Sequence, residues 1–324
     1  MPNTDVDIHR IHHCLRAGKL LLELFKGTGS VGDAFAAHAW DIVSLDSDEQ
    51  HKATLCIDIF DLDYHNLPVP DHIHASPDCA TYSFAAHHAK HRIPANNVHA
   101  HGAGARVGAP LTPKAICADR VVDRVVEIIL YFRSVHPGLT YTIENPRGYL
   151  RYHPALAKLH DATLHETSYN QFGAPIGKPT HIWTNVPIVL PSAVRMRGDI
   201  KIDDAHHAQL RRALSDFYGL SRDTSVKVLC GSLPRGLVLR FVDAVETHWR
   251  SDVMKWECAF CGATNESGYR CSNPRCNLKR SCAQYNRRST KRRIQPVESV
   301  ECNLSDDDFD VSDMLDFESD ESSD

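Results

Sequence analysis

No uninterrupted apolar run in the chain comes near the roughly 18 residues that a membrane-crossing helix needs, so no membrane span is expected. The opening residues, MPNTDVDIHR, hold no apolar core of a secretory signal. That predicts an intracellular, soluble protein with reduced cysteines. Convincing internal repeats are absent, which argues against a repeat array. Charge of one sign is missing from two neighbouring stretches. Residues 270–293 carry nine Arg or Lys and no acid, and residues 299–324 carry eleven Asp or Glu and no Lys or Arg.

What is present is a chain of 324 residues, 42% hydrophobic and 24% charged, with room for a sizeable core and two domains. Its formal charge is −5, but without the acidic tail 36 bases stand against 30 acids. A basic stretch ahead of an acidic tail points to a nucleic-acid partner more than to a small metabolite. The plainer reading of the tail is solubility and disorder. Eleven cysteines in a reduced chain leave metal binding and catalysis as candidate uses.

Residues 19–25, KLLLELF, predict a short, fully buried strand, followed by a glycine-rich turn and the helical stretch DAFAAHAW. DIVSLDSD predicts a second strand ending in acids, CIDIFDLD a third short segment, and HIHASPDC a fourth strand edge. Residues 115–135 carry apolar positions at helical spacing, and TYTIENPRG reads as a strand that stops at Pro146. Strands alternating with helices imply an α/β protein with a parallel, doubly wound, Rossmann-like sheet. Residues 85–113 are rich in His, Gly, Ala and Pro and read as a long mobile loop. Its His87, His88, His91, His99 and His101 read as solvated side chains rather than metal ligands. From about residue 286 the composition predicts disorder.

The stretch LLELFKGTGSVGDAF places Gly27, Gly29 and Gly32 between a strand and a helix. Glycine there permits a tight turn and close approach of backbone to a ligand. Asp46 or Asp48, near the end of the next strand, suits ribose hydroxyls. Dehydrogenases and methyltransferases share this much. Three later segments discriminate: Cys79 in SPDC, Glu144 in IENPRG, and Gln171 in YNQFGAPIGKPTHIWTN. A single cysteine past a strand is by default an inert buried thiol, and its company argues for a nucleophile.

In order and approximate spacing these segments resemble the cytosine-5 DNA methyltransferases, most nearly the short forms of phages and large DNA viruses, over roughly residues 19–245. The resemblance implies a Rossmann-like methyltransferase sheet. It implies a cofactor loop for S-adenosylmethionine at Phe25, Gly27, Thr28, Gly29, Ser30 and Gly32, with Asp46, Asp58 and Pro77 around the same ligand. Ser76-Pro77-Asp78-Cys79 stands where the family has Pro-Pro-Cys, which makes Cys79 the nucleophile. Glu144-Asn145-Pro146 stands for Glu-Asn-Val, and CGSLPRGLVLRFV for the closing Gly-Asn-x-Val-Pro segment. Thiolate attack on carbon 6 makes cytosine carbon 5 nucleophilic, and Glu144 would hydrogen-bond or protonate ring nitrogen 3. A duplex base must be flipped out for this, and the loop after Cys79 would close over it.

Three features depart from the family. Asp78 replaces its second proline. His181 stands where phage-like members have an arginine that reaches the cytosine carbonyl, so His181 or Lys178 would take that role. Only about 40 residues separate Asn185 from the closing segment, which suggests short or relaxed target recognition. Methylation of RNA is the alternative activity, since one branch of the family acts on tRNA. From another class comes a weakened methyltransferase fold that binds nucleic acid or ubiquitin.

WECAFCGATNESGYRCSNPRC carries Cys258, Cys261, Cys271 and Cys276 as two knuckles nine residues apart. Four thiolates so spaced suit a structural zinc, with Cys282 an alternative ligand. Trp256 and Asn265 make the segment similar to Ran-binding-protein zinc fingers, some of which bind single-stranded RNA and others ubiquitin. The adjacent RRSTKRR favours nucleic acid or nuclear import. The expected organisation is a methyltransferase domain at 1–250, a zinc finger at 251–285 and a disordered basic-then-acidic tail at 286–324. The protein is expected to act as a monomer on DNA.

Overall fold

The computed structural model describes residues 19–84, 91–102, 104–193, 206–251, 256–257 and 264–265. Its centre is a seven-stranded sheet in the order β3-β2-β1-β4-β5-β7-β6. The strands are β1 (Leu20–Leu24), β2 (Asp41–Asp46), β3 (Leu55–Cys56), β4 (His72–Ala75), β5 (Thr140–Pro146), β6 (Thr163–Ser168) and β7 (Pro179–Thr184). Strands β1 to β5 pair in parallel, whereas β7 runs antiparallel to both β5 and β6. The expectation of a parallel, doubly wound sheet therefore holds for the amino-terminal strands and fails at β7. The reason is connectivity. Residues 169–178, which include a 3-10 helix at Tyr169–Phe172, return the chain from β6 to β7 at the same edge of the sheet, and antiparallel neighbours need no crossover helix.

Helices cover both faces. α1 (Ser30–Ala36) and α2 (Pro113–Val135) belong to the first half, and α3 (His207–Tyr218), α4 (Val226–Gly231) and α5 (Arg235–Ser251) to the second. Thr112 caps α2 by accepting from the Ala115 amide, and Pro113 fits the first turn, where no amide hydrogen is needed. Val122, Val125, Val126, Ile129 and Phe132 recur at helical spacing and are buried against one side of the sheet. On the other side Phe35, Leu210, Leu214, Leu237, Phe241 and Val245 form a second cluster with Leu21 and Ile182. β1 lies between the two layers, which is why its five residues, LLLEL, are all buried. The one polar member, Glu23, enters the site below.

The segment read as a long mobile loop is partly ordered. Residues Ala95–His101 form a 3-10 helix, and Arg92 bridges to Pro110. Residues 85–90 and 103 lie outside the described residues. Cys56, Cys79 and Cys230 are free thiols. No helix among the described residues is long and apolar enough to cross a membrane.

Candidate active site at the carboxyl edge of the sheet

β1 and β4 are neighbours, with β2 and β3 beyond one and β5 beyond the other. The order in which strands are added thus reverses between the parallel neighbours β1 and β4, and in open α/β sheets ligands lie in the crevice outside such strand ends. The segments expected to carry chemistry leave the sheet at this edge.

After β1 the backbone takes positive φ at Phe25 (64°), Gly27 (51°) and Gly29 (77°). Left-handed backbone at Phe25 costs about 1 kcal/mol that glycine would not. The loop is fastened from three sides. The Gly27 amide donates to Asp46 Oδ2 at 2.9 Å. Lys26 Nζ donates to the carbonyls of His51 and Lys52. Thr28 Oγ1 donates to Ser232 Oγ at 3.2 Å. Phe25, Thr28 and Ser30 are half-buried. Asp46 is tied inward, its Oδ1 also accepting from the Asp48 amide. Asp48 is the more exposed acid of the two. Asp58 is exposed after β3, where it caps its own turn through the Phe60 amide. Gly32 is placed differently from the loop. It is buried in α1, its amide donating to Glu23 Oε1 at 3.0 Å. A Cβ there would lie 2.5 Å from Glu23 Oε2, so Gly32 makes room for a carboxylate under the loop. Glu23 Oε2 has no hydrogen-bond partner among the described residues.

Cys79 follows β4 through Ser76, buried Pro77 and exposed Asp78. The Asn145 side chain donates to the Pro77 carbonyl at 2.8 Å, joining the IENPRG segment to the SPDC turn. The Cys79 carbonyl accepts from the amides of Tyr82 and Ser83. Asp78 Oδ1 accepts from the Ala80 amide at 3.2 Å. The half-buried thiol is pushed up to about 12, first by desolvation, with the Asp78 and Glu144 charges adding to the rise. The Lys178 ammonium works against them. At rest Cys79 is therefore a thiol, and the nearby cation that favours its ionised form is Lys178.

Glu144 and Lys178 meet through Tyr169. Tyr169 Oη donates to Glu144 Oε1 at 3.2 Å, Thr180 Oγ1 lies 3.4 Å from the same oxygen, and Lys178 Nζ donates to Tyr169 Oη at 3.3 Å. Lys178 Nζ also donates to the Cys230 carbonyl at 2.8 Å. Glu144, Tyr169 and Lys178 are all buried. Burial and the Glu144 charge hold the Tyr169 phenol well above its usual range, so it stays a donor. Cys230 and Ser232 come from the CGSLP segment, which thus touches both Lys178 and the glycine loop.

His181 is not brought to this group. In the β5–β7 register it pairs with Asn145, while Glu144 pairs with Ile182. Directly paired residues share a face, so His181 faces the opposite side of the sheet from Glu144. There it is buried, 3.2 Å from Glu166 Oε2 and edge-on to Trp183. Of the two candidates for the missing arginine, only Lys178 stands with Cys79 and Glu144.

The sequence reading missed Tyr169, Thr180 and Glu23. The local signals were faint: a tyrosine two residues before Gln171, and an acid in an otherwise apolar strand. Cys258, Cys261, Cys271 and Cys276 lie outside the described residues, as does the tail. The flanking strands β8 (Trp256–Glu257) and β9 (Thr264–Asn265) pair antiparallel, with Trp256 opposite Asn265. Among the described residues no group of three or more His, Cys, Asp or Glu could hold a metal.

No protein-family model matches the chain, and no curated protein does. Among solved structures it is similar to the Entamoeba histolytica methyltransferase EhMeth, at 9% identity and a TM-score of 0.44, over 71% of this chain and 98% of that one. It is also similar to the S. pombe Dnmt2 methyltransferase, at 13% identity and 0.43, over 70% and 98%. A third is a Spodoptera frugiperda DNMT2 mutant, at 11% identity and 0.43, over 71% and 100%.

Proposed function

We propose that the protein is an S-adenosylmethionine-dependent methyltransferase acting on carbon 5 of cytosine in DNA, with Cys79 as nucleophile. The observation that carries this reading is the meeting of Cys79, Glu144 and Lys178 at the carboxyl edge of the sheet, beside the loop of Phe25, Gly27 and Gly29. The residues present fit the cofactor. The loop turns where backbone can approach a ligand, no atom crowds Gly27, Phe25 is a half-buried aromatic ring beside it, and half-buried Asp48 and exposed Asp58 follow neighbouring strand ends. When bound, S-adenosylmethionine supplies an activated methyl group.

The chain's own residues account for the rest. Cys79 gives its proton to water as its sulfur bonds to carbon 6 of the extruded base and the carbon 5–carbon 6 double bond opens. The displaced electron pair moves toward ring nitrogen 3, which Glu144 hydrogen-bonds or protonates. Tyr169 and Thr180 hold Glu144 in place. Lys178 lowers the cost of charge on the sulfur and would take the arginine's role toward the base carbonyl. After methylation a base or water removes the carbon 5 proton and the sulfur leaves. The thiol's high resting value fits a nucleophile that ionises only when substrate is present. The acidic tail and basic stretch, together with a zinc held by Cys258, Cys261, Cys271 and Cys276, would form the accessory part, with β8 and β9 bracketing the first knuckle.

An oligodeoxynucleotide containing 5-fluorocytosine tests this directly. Fluorine cannot leave as a proton does, so the reaction stalls with the base bonded to sulfur. With cofactor present the protein is expected to form a stable adduct. Cys79→Ser should abolish it, and Glu144→Gln should slow it by about a hundredfold or more. Trapping by RNA alone would move the substrate from DNA to RNA. No adduct on either polymer, from folded protein that binds S-adenosylhomocysteine, would leave only a binding role for the site.

A further inference from the structure

Under the site runs a row of buried polar side chains that the reaction above does not use. β4 sets His72 and His74 against Thr140 and Thr142 of β5 in parallel register, and all four are buried. His72 Nδ1 lies 2.8 Å from Thr140 Oγ1, and its Nε2 lies 3.1 Å from Thr142 Oγ1. His74 Nδ1 lies 2.8 Å from Thr142 Oγ1, and its Nε2 lies 3.0 Å from Ser76 Oγ. At the far end Thr140 Oγ1 donates to the Asp71 carbonyl at 3.1 Å. Two residues further along each strand, the row reaches Ser76 and Glu144.

Counting hydrogens fixes the direction of this chain. A neutral imidazole has one donor and one acceptor nitrogen, and each hydroxyl has a single hydrogen. Two polarities satisfy the four imidazole–hydroxyl contacts. Only one also keeps the bond to the Asp71 carbonyl, which can only accept. In that polarity His72 Nδ1 donates to Thr140, Thr142 donates to His72 Nε2, His74 Nδ1 donates to Thr142, and Ser76 donates to His74 Nε2. The other polarity forfeits a bond worth about 1 kcal/mol, and linked bonds reinforce one another. Burial keeps both rings neutral, with His74 held down to about 3 and His72 well below its usual value. The chain ends on a carbonyl that cannot take up a proton, so it does not conduct protons. Its effect is directional: the Ser76 hydrogen is committed inward, and its lone pairs face the partly exposed strand end.

We propose that Ser76 is a specificity-determining residue, whose hydroxyl beside Glu144 accepts a hydrogen from the exocyclic amino group of cytosine and excludes bases with a carbonyl there. This rests on the cytosine reading of the same site. Uracil or thymine would bring an oxygen against oxygen lone pairs with no hydrogen between them. A site built to pair a substrate hydrogen rejects an analogue without it, because its own polar groups are left unsatisfied.

The test compares adduct formation by the full chain on two oligodeoxynucleotides, with 5-fluorocytosine or 5-fluorouracil at the same position, in the presence of S-adenosylmethionine. The unaltered protein should prefer fluorocytosine. Ser76→Ala should lower that preference about tenfold by slowing the fluorocytosine arm, with S-adenosylhomocysteine affinity unchanged and a cooperative melt retained, lowered by the hydrogen bond that His74 loses. Thr140→Val removes the carbonyl anchor and should shift the preference the same way, whereas Ser76→Thr should keep it. Equal slowing of both arms by Ser76→Ala, or an unchanged ratio, would overturn the proposal. Equal trapping of both bases by the unaltered protein would overturn it while leaving the nucleophile intact. No adduct with either base would remove the cytosine reading and this inference together.

Discussion

Glu23 interrupts the apolar run of β1, and its carboxyl is almost closed off from water. Desolvation raises it from 4.5 to about 7, only partly offset by the Gly32 amide and the Lys26 charge. The sign follows from linkage. Below its unfolded value Glu23 is neutral in both states and costs nothing. As pH rises from 4.5 to about 7, the unfolded chain ionises first and stability falls, by up to about 3 kcal/mol. Denaturant melts at about pH 5 and about pH 8 should show this loss, and Glu23→Gln should flatten it. An unchanged pH dependence in the variant would place the titration elsewhere. Some residues of this kind are legible in a sequence and others are not. Cys79 and Glu144 are found because each sits in a short motif. Glu23, Tyr169 and the inward-turned hydroxyl of Ser76 are not, because their roles come from partners on other strands. His181 shows the converse: the motif placed it beside the base, and the one-residue alternation of β7 turned it to the other face.

Among the elements, the turn that carries Cys79 depends on a clamp from the following segment. Arg92, buried under the ring of Tyr82, donates to the Thr81 carbonyl and hydroxyl and to the carbonyls of Gly108 and Ala115. It also pairs with Asp119 of α2 at 2.7 Å. One guanidinium thus fastens the turn after Cys79 to α2, and its fork of donors explains why arginine suits the place. Arg92→Met fills a similar volume but leaves Asp119 and three carbonyls without this partner. It should cost about 3 kcal/mol in denaturant unfolding and slow adduct formation, with S-adenosylhomocysteine affinity retained. A variant that loses stability but traps at the original rate would separate the clamp from Cys79. The His, Gly, Ala and Pro content of this segment predicts a loop, which describes its surface, and nothing in that composition marks the one arginine that turns inward. The helix at 115–135 and the strand ending at Pro146 were legible, since periodicity and proline act locally. The reversal of β7 was not, because strand direction depends on which neighbour a strand pairs with.

For the whole molecule, the sheet and the cysteine-rich segment are expected to be separate folding units. Four thiolates in so short a segment would bind one zinc per chain, and much of that segment's folding energy would come from the metal. Metal analysis should give one zinc, and Cys258→Ser should lose it while the cooperative melt of the sheet domain stays in place. A zinc-free preparation with β8 and β9 still paired would contradict that assignment. By itself the sequence determined the α/β class, the glycine loop after β1, the motif around Cys79 and the basic-then-acidic end of the chain. All of these are local: hydrophobic period, turn chemistry and charge along the backbone. The tertiary structure decided which of these meet. It set Lys178 rather than His181 with Cys79 and Glu144, brought the CGSLP segment onto both Lys178 and the glycine loop, and put Glu23 beneath Gly32. It also aligned two histidines and two threonines into a row that ends at Ser76. These depend on strand order and register, which are fixed by packing across the sheet and by antiparallel closure at β7, and no stretch of sequence read alone contains them.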